Sequence, residues 1–167
     1  MVLGMSLATF TLVHVIISLV AIATGILVMA AMIGRRTTPV LTAIFLVFTI
    51  LTSATGFLFP VPQLLPSHVI AIVSLLLLAT ACVALYALRL SGAWRWIYVV
   101  TALVSLYLNV FVLVIQSFLK VPALHALAPS VPPAEPPFAV AQGIVLVFFI
   151  IVITGVIRRY RPSPTYT

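Results

Sequence analysis

Residues 94–120 have the sequence WRWIYVVTALVSLYLNVFVLVIQSFLK, an apolar run long enough for a helix that crosses a membrane. On a helix of about 3.6 residues per turn, its polar residues follow one side: Tyr98, Thr101, Ser105, Asn109, Gln116 and Lys120. The opposite side is bulky and apolar: Leu103, Tyr107, Phe111, Val114 and Phe118. We therefore expect the polar side to face a helical bundle and the bulky side to face lipid.

The composition places the whole chain in a membrane. Of its 167 residues, 65% are hydrophobic and 5% are charged, and a soluble domain of that balance could not cover its surface with polar atoms. Five apolar stretches of about 20 residues account for nearly all of the chain. The sequence predicts an all-α, polytopic membrane protein, a single domain built as a bundle of five transmembrane helices.

The spans are predicted at about residues 7–33, 39–59, 68–88, 94–119 and 138–157. Thr38 and Ser67 are predicted N-caps, and the prolines at 60 and 62 are predicted to end the second span. Residues 121–137 form a proline-rich outer loop, in which 123–128 are expected to make a short helix. Ala21 and Gly25 in the first span are small and predict a close contact with another helix.

The basic residues predict the orientation of the bundle. Seven of them fall on one side of the membrane: Arg35, Arg36, Arg89, Arg95, Arg158, Arg159 and Arg161. Only Lys120 falls on the other side. By the positive-inside rule the N-terminus is outside and the C-terminus inside. The net charge of +7 thus belongs to helix ends, and we expect no nucleic-acid partner.

The stretch YLNVFVLVIQSFLKVPALHALAPSVPPAEPPF, residues 107–138, resembles a family of small, uncharacterised bacterial inner-membrane proteins. The resemblance covers the last third of the chain. It implies a multi-pass protein of the bacterial inner membrane and carries no activity, cofactor or site residues with it.

Five polar residues are predicted to lie in the outer half of the bundle and to bind a ligand. Counting along each helix at about 1.5 Å per residue places His14, His68 and Gln116 near the outer edge, with Gln142 about one turn inside and Asn109 deeper. Each of these groups, taken singly, also fits an ordinary hydrogen bond between helices. Their convergence predicts an outward-facing polar pocket for a small ligand or a redox cofactor.

Three functions remain open on the sequence alone. In a cofactor-binding protein, His14 and His68 would be axial ligands of a haem, or one of them would hydrogen-bond a quinone together with Asn109, Gln116 or Gln142. In an accessory or assembly subunit, the loop residues Pro129–Pro137 would dock a partner within a membrane complex. The third function is a carrier of a small solute or a lipid.

Catalytic and metal-binding motifs are weakly represented. The chain has one acidic residue, Glu135, and one cysteine, so hydrolase, dithiol and nucleotide chemistries lack their usual residues. A zinc or copper site from His14, His68, His125 and Glu135 lacks diagnostic ligand spacing, and no metal is predicted. Whether the protein is an enzyme stays open.

Overall fold

The computed structural model describes residues 2–60 and 66–160. Within these residues the regular secondary structure is helical, apart from an isolated bridge between Val2 and Met5. The helices, in chain order, are α1 (Leu7–Ile33), α2 (Pro39–Gly56), α3 (Pro66–Cys82), which continues as a π-helical turn (Val83–Ala87), α4 (Trp94–Lys120), α5 (Pro122–His125) and α6 (Pro136–Arg159). Five of these segments are long and apolar enough to span a membrane. The predicted five-helix membrane bundle is confirmed.

Several helix ends differ from the predicted ones. Helix α2 ends at Gly56, three residues early, and α3 and α6 each begin two residues early, at Pro66 and Pro136. Proline fits the first turn of a helix because the amide that it lacks has no partner there. Thr38 stands before α2 as expected, but its side chain makes no capping bond. The predicted proline stop at 62 and the basic residue Arg161 lie outside the described residues.

The bundle has two ends, which we name by their residues. The arginine end holds the turns 34–38 and 88–93, together with Tyr160. There an Arg95 guanidinium Nη1 donates to the carbonyl oxygen of Tyr160, which follows the last turn of α6. The loop end holds residues 2–6, 57–60 and 121–135.

Helix α4 lies at the centre of the bundle and contacts α1, α2, α3, α5 and α6. Helix α6 packs along its bulky side, where the ring of Tyr107 contacts that of Phe149 and the ring of Phe118 contacts that of Phe138. The prediction that this side of α4 faces lipid was wrong. Helix α6 returns across it, and Leu103 and Phe118 are buried.

The apolar core is concentrated in the half of the bundle toward the arginine end. Its members come from the parts of each helix nearest that end: Val28, Met29, Met32, Phe45, Leu46, Leu78, Ala81, Ala84, Leu85, Leu90, Tyr98, Val99, Ala102, Leu103, Leu106, Phe149, Val156 and Tyr160. The half toward the loop end also contains buried apolar residues, such as Phe10 and Phe118, together with the buried hydrogen bond from Ser53 Oγ to Ser74 Oγ at 3.1 Å.

The predicted close contact of α1 is present at Gly25. A Cβ added there would lie 2.6 Å from Leu106 Cδ1 and 2.8 Å from Phe45 Cε2. Ala21, one turn away, is fully buried. The absence of a side chain at Gly25 therefore lets α1, α2 and α4 meet at one depth.

The side of α6 that faces away from α4 is exposed. Its large apolar residues there are about half to two-thirds exposed: Val140, Ile144, Val147, Phe148, Ile150 and Ile151. In a multi-pass membrane protein this side contacts the hydrocarbon of the lipid bilayer.

Candidate ligand-binding site

The polar side of α4 changes from buried to exposed along its length. Toward the arginine end, Tyr98 and Ser105 on this side are 2% and 0% exposed. Toward the loop end, Leu113 on the same side is 37% exposed, and Gln116 and Lys120 are exposed as well. We call the latter part, residues 112–120 on this side, the loop-end face of α4. The same helical side thus begins in the core and ends outside it.

The change is confined to one side of the helix. On the opposite side, Phe118 is only 6% exposed, although it lies two residues before the end of α4. Helix α4 therefore stays packed against α6 up to its last turn. The exposed residues of the loop-end face thus lie on a helix that still packs against α6 at Phe118.

Asn109 marks the depth at which the opening begins. Gly25, Phe45 and Leu106 meet at one level, and one turn toward the loop end, at about 1.5 Å per residue, Asn109 comes level with Ala21 and Thr49. Ala21 and Thr49 are both fully buried, so the bundle is still closed there. Asn109 therefore lies at the last level at which the bundle is closed, one turn below the loop-end face.

The amide nitrogen of Asn109 is buried and has no hydrogen-bond partner among residues 2–60 and 66–160. An amide group in a medium without water needs partners for its two N–H bonds, and leaving them unpaired costs free energy. This buried donor lies one turn below the exposed Leu113.

His14 is held in a defined tautomer on the α1 side of this opening. Its Nδ1 lies 2.7 Å from Thr55 Oγ1, and Thr55 Oγ1 lies 2.7 Å from the carbonyl oxygen of Leu51. Since a carbonyl oxygen accepts only, the single hydroxyl hydrogen of Thr55 goes to Leu51, and Nδ1–H of the neutral ring donates to Thr55. The lone pair of the ring is therefore on Nε2. The ring also contacts Phe59 edge-on at 5.2 Å.

Lys120 is the last residue of α4, and His14 lies near the start of α1, so both belong to the loop end. Gln116 lies one turn below Lys120 on the same face. His14, Gln116 and Lys120 are therefore polar groups of the same end of the bundle.

Gln142 occupies a different place from the one predicted. Its Nε2 donates to the carbonyl oxygen of Phe111 at 3.0 Å, so it lies in the contact between α4 and α6. Phe111 is nearly opposite Asn109 on α4, at about 100° per residue. Gln142 therefore bonds α6 to α4, and the structure does not bring it together with Asn109. Its Oε1 is buried and meets no donor within the described part of the chain.

His68 is also separated from His14. It is 7% exposed, and its ring contacts that of Phe57 at 5.5 Å, whereas His14 contacts Phe59. Both phenyl rings belong to the segment that follows α2. The two imidazoles thus pack against different rings of this segment.

Glu135 is taken up by its own loop. Its Oε1 accepts from the Ser130 amide at 3.0 Å, and its Oε2 accepts from the Ala134 amide at 3.0 Å and the Ser130 hydroxyl at 2.9 Å. The Ala134 amide, with smaller contributions from Ser130, holds the pKa of Glu135 below its ordinary value. The histidines and Glu135 do not gather into a ligand set of three or more in the described residues.

Two residues of the loop end were not predicted as site residues. Thr55 Oγ1 lies 2.7 Å from His14 Nδ1, and the ring of Phe59 contacts the His14 ring edge-on. A signal for Thr55 exists in the sequence, because α1 and α2 form an antiparallel hairpin around the turn at 34–38 and their loop-end residues pair across it. For Phe59 we find no comparable signal.

Comparison of the chain with protein-family models, with curated proteins and with solved structures finds no match in any of the three. We therefore argue function from the loop-end face itself.

Proposed function

We propose that the protein binds a small ligand, without covalent chemistry, in a water-filled cleft that opens to the outer side of the membrane. The loop-end face of α4 is one wall, His14 and Thr55 lie on the other, and Asn109 is at the floor. The observation that carries this proposal is the change of one side of α4 from buried to exposed while the opposite side stays covered by α6.

The position of the core supports a one-sided cleft. Toward the arginine end, the Thr101 and Ser105 hydroxyls donate to carbonyl oxygens of their own helix, at 2.8 Å in each case. These bonds leave the hydroxyls no need of a partner across the bundle. A carrier needs a path to both faces of the membrane, so these contacts favour a binding protein over a carrier.

The ligand we propose is not a haem. A bis-histidine haem requires both imidazoles at one iron, and His14 and His68 contact different phenyl rings of the segment after α2. The free lone pair on His14 Nε2 suits a hydrogen-bond donor or a water molecule.

The proposed membrane is the bacterial inner membrane, with the loop end toward the periplasm. The arginine-rich ends and the single Lys120 on the other side support this orientation. The resemblance of residues 107–138 to small inner-membrane proteins supports the location.

Reaction of introduced cysteines tests the cleft. In a Cys82→Ser background, Leu113→Cys and Gln116→Cys are expected to react with a charged, membrane-impermeant maleimide added from outside, because the reactive thiolate forms where water reaches. The controls are Ser105→Cys, on the same side of α4 but buried, and Ile144→Cys, on the exposed side of α6.

Both controls are expected to stay unreacted, the first in the core and the second in lipid. If Leu113→Cys behaves like Ile144→Cys, the loop-end face lies against lipid and there is no aqueous cleft. If Ser105→Cys reacts as fast as Leu113→Cys, water passes the level of Asn109 and the one-sided cleft is wrong.

An accessory subunit is the second candidate, and the outer loop favours it. The bonds from Ser130 and Ala134 to Glu135 give this loop a fixed shape, and Val131 within it is 78% exposed. A preordered loop loses little entropy when it docks. Glu135→Ala would then release a partner complex that survives Gln116→Ala, whereas a ligand-binding protein would show the reverse dependence for its ligand.

A further inference from the structure

The charge at the mouth of the proposed cleft has no counterpart within the chain. Lys120 is the only basic residue at the loop end other than histidine, and Glu135 is the only side-chain carboxylate in the sequence. Three donors from Ser130 and Ala134 already bind the two oxygens of that carboxylate. The Lys120 ammonium is therefore left to pair with an anion from outside.

The Gln116 carboxamide adds donors to the mouth beside Lys120. The Gln116 carboxamide lies one turn below Lys120 and is exposed, so its N–H bonds add to those of the ammonium. A carboxylate accepts from several such donors at once, and charge-assisted hydrogen bonds are among the stronger ones in proteins. The mouth thus matches a compact anionic head.

Below the mouth the wall is apolar. Val112 and Leu113 are the residues on this side of α4 between Asn109 and Gln116. The two amides are seven residues apart, which is about 10 Å along the helix axis. The bundle closes at the next level, where Ala21 and Thr49 are fully buried. An alkyl chain fits the apolar step and ends there.

From this arrangement we infer that the ligand of the cleft is a carboxylate-headed alkyl chain of medium length, with its head on Lys120 and Gln116 and its chain along Val112 and Leu113. The closure of the bundle at the level of Ala21 and Thr49 limits the depth of the chain and so selects against longer ones. This inference rests on the proposed function, since it requires an open cleft.

Equilibrium binding of octanoate to the protein in phosphatidylcholine nanodiscs tests the recognition of the head, with empty nanodiscs as the blank. Lys120→Gln is expected to weaken octanoate binding about tenfold or more, the value of a lost charged hydrogen bond. Lys120→Arg is expected to retain it. Arg158→Gln, which removes the same charge at the arginine end, is the matched control and is expected to leave it unchanged.

Octanol, which is neutral, and butyrate, which is short, separate the contributions of the charged head and of the alkyl chain to binding. Octanol is expected to bind more weakly than octanoate and to be indifferent to Lys120→Gln, and butyrate is expected to bind more weakly because it lacks the chain. Octanoate binding that Lys120→Gln leaves intact would overturn the inference. Butyrate binding as tight as that of octanoate would also overturn it, in favour of a soluble anion.

Laurate tests the depth limit. Because the bundle closes at Ala21 and Thr49, the longer chain of laurate finds no further apolar wall, and laurate is expected to bind no more tightly than octanoate once uptake by empty nanodiscs is subtracted. Tighter laurate binding that Lys120→Gln weakens would refute the depth limit.

The cysteine labelling described above separates the two proposals. If Leu113→Cys reacts with the charged maleimide but octanoate binding ignores Lys120, the cleft stands and its ligand has a different chemistry. If Leu113→Cys does not react, the cleft itself is absent.

Discussion

At the scale of single residues, the loop end is organised by a hydrogen bond that commits a histidine to one tautomer. Thr55 gives its hydrogen to its own helix at the Leu51 carbonyl and takes one from His14 Nδ1. The depth of His14 could be predicted from the sequence, because it follows from counting residues along a helix. Its partner could not, because the rotation of α1 against α2 depends on packing that hydropathy does not encode.

Thr55→Val removes the acceptor for His14 while keeping the shape of the side chain. Nitrogen NMR of protein labelled at its three histidines is expected to show His14 protonated at Nδ1 in the parent and a mixture of tautomers in the variant. The loss of stability is expected to be about 0.6 kcal/mol, the average for hydrogen bonds between membrane helices.

Thr55→Ser is the matched control, since it retains the hydroxyl and is expected to keep the parent spectrum. A parent protein in which neutral His14 carries its proton on Nε2 would contradict the assignment.

At the scale of elements, helix lengths were predictable and helix neighbours were not. Apolar runs bounded by arginine, glycine and proline fix where each span lies, and the errors are confined to the ends, as at Pro66 and Pro136. The bulky side of α4 was predicted to face lipid. Apolar side chains such as Tyr107 and Phe118 pack equally well against lipid tails and against another helix. Only the position of α6 shows which of the two they contact.

Gly25→Ala tests the meeting of three helices at one level. Its Cβ would lie 2.6 Å from Leu106 Cδ1 and within 3 Å of two ring atoms of Phe45, and both side chains are fully buried. Overpacking of this kind is expected to cost about 1–3 kcal/mol, measured by unfolding in dodecyl sulfate followed by circular dichroism.

Gly143→Ala and Gly155→Ala are the controls, because a Cβ at either glycine meets no heavy atom within 4 Å. Both are expected to equal or slightly exceed the parent in stability. Gly25→Ala as stable as these two would mean that the contact at Gly25 is looser than the structure indicates.

At the scale of the whole molecule, the two ends of the bundle differ in charge, and the positive-inside rule predicts that the arginine end is cytoplasmic and the loop end outside. Ala126 on the outer loop and Ser91 in the turn before α4 are both exposed and lie at opposite ends. No charge pattern predicts that the side of α4 that is buried at Ser105 becomes exposed at Leu113.

In a Cys82→Ser background expressed in bacteria, Ala126→Cys is expected to react with an impermeant maleimide in intact spheroplasts. Ser91→Cys is expected to react only after the membrane is permeabilised. The reverse pattern would invert the protein in the membrane and would turn the loop-end face toward the cytoplasm.

The concentration of the apolar core in the arginine half also bears on how this protein can evolve. Residues of the loop-end face such as Leu113 and Gln116 touch little of the packing that holds the helices together, so most substitutions there carry a small cost in stability. Related proteins can therefore change the ligand specificity of the loop end while they retain the helix packing of the arginine end.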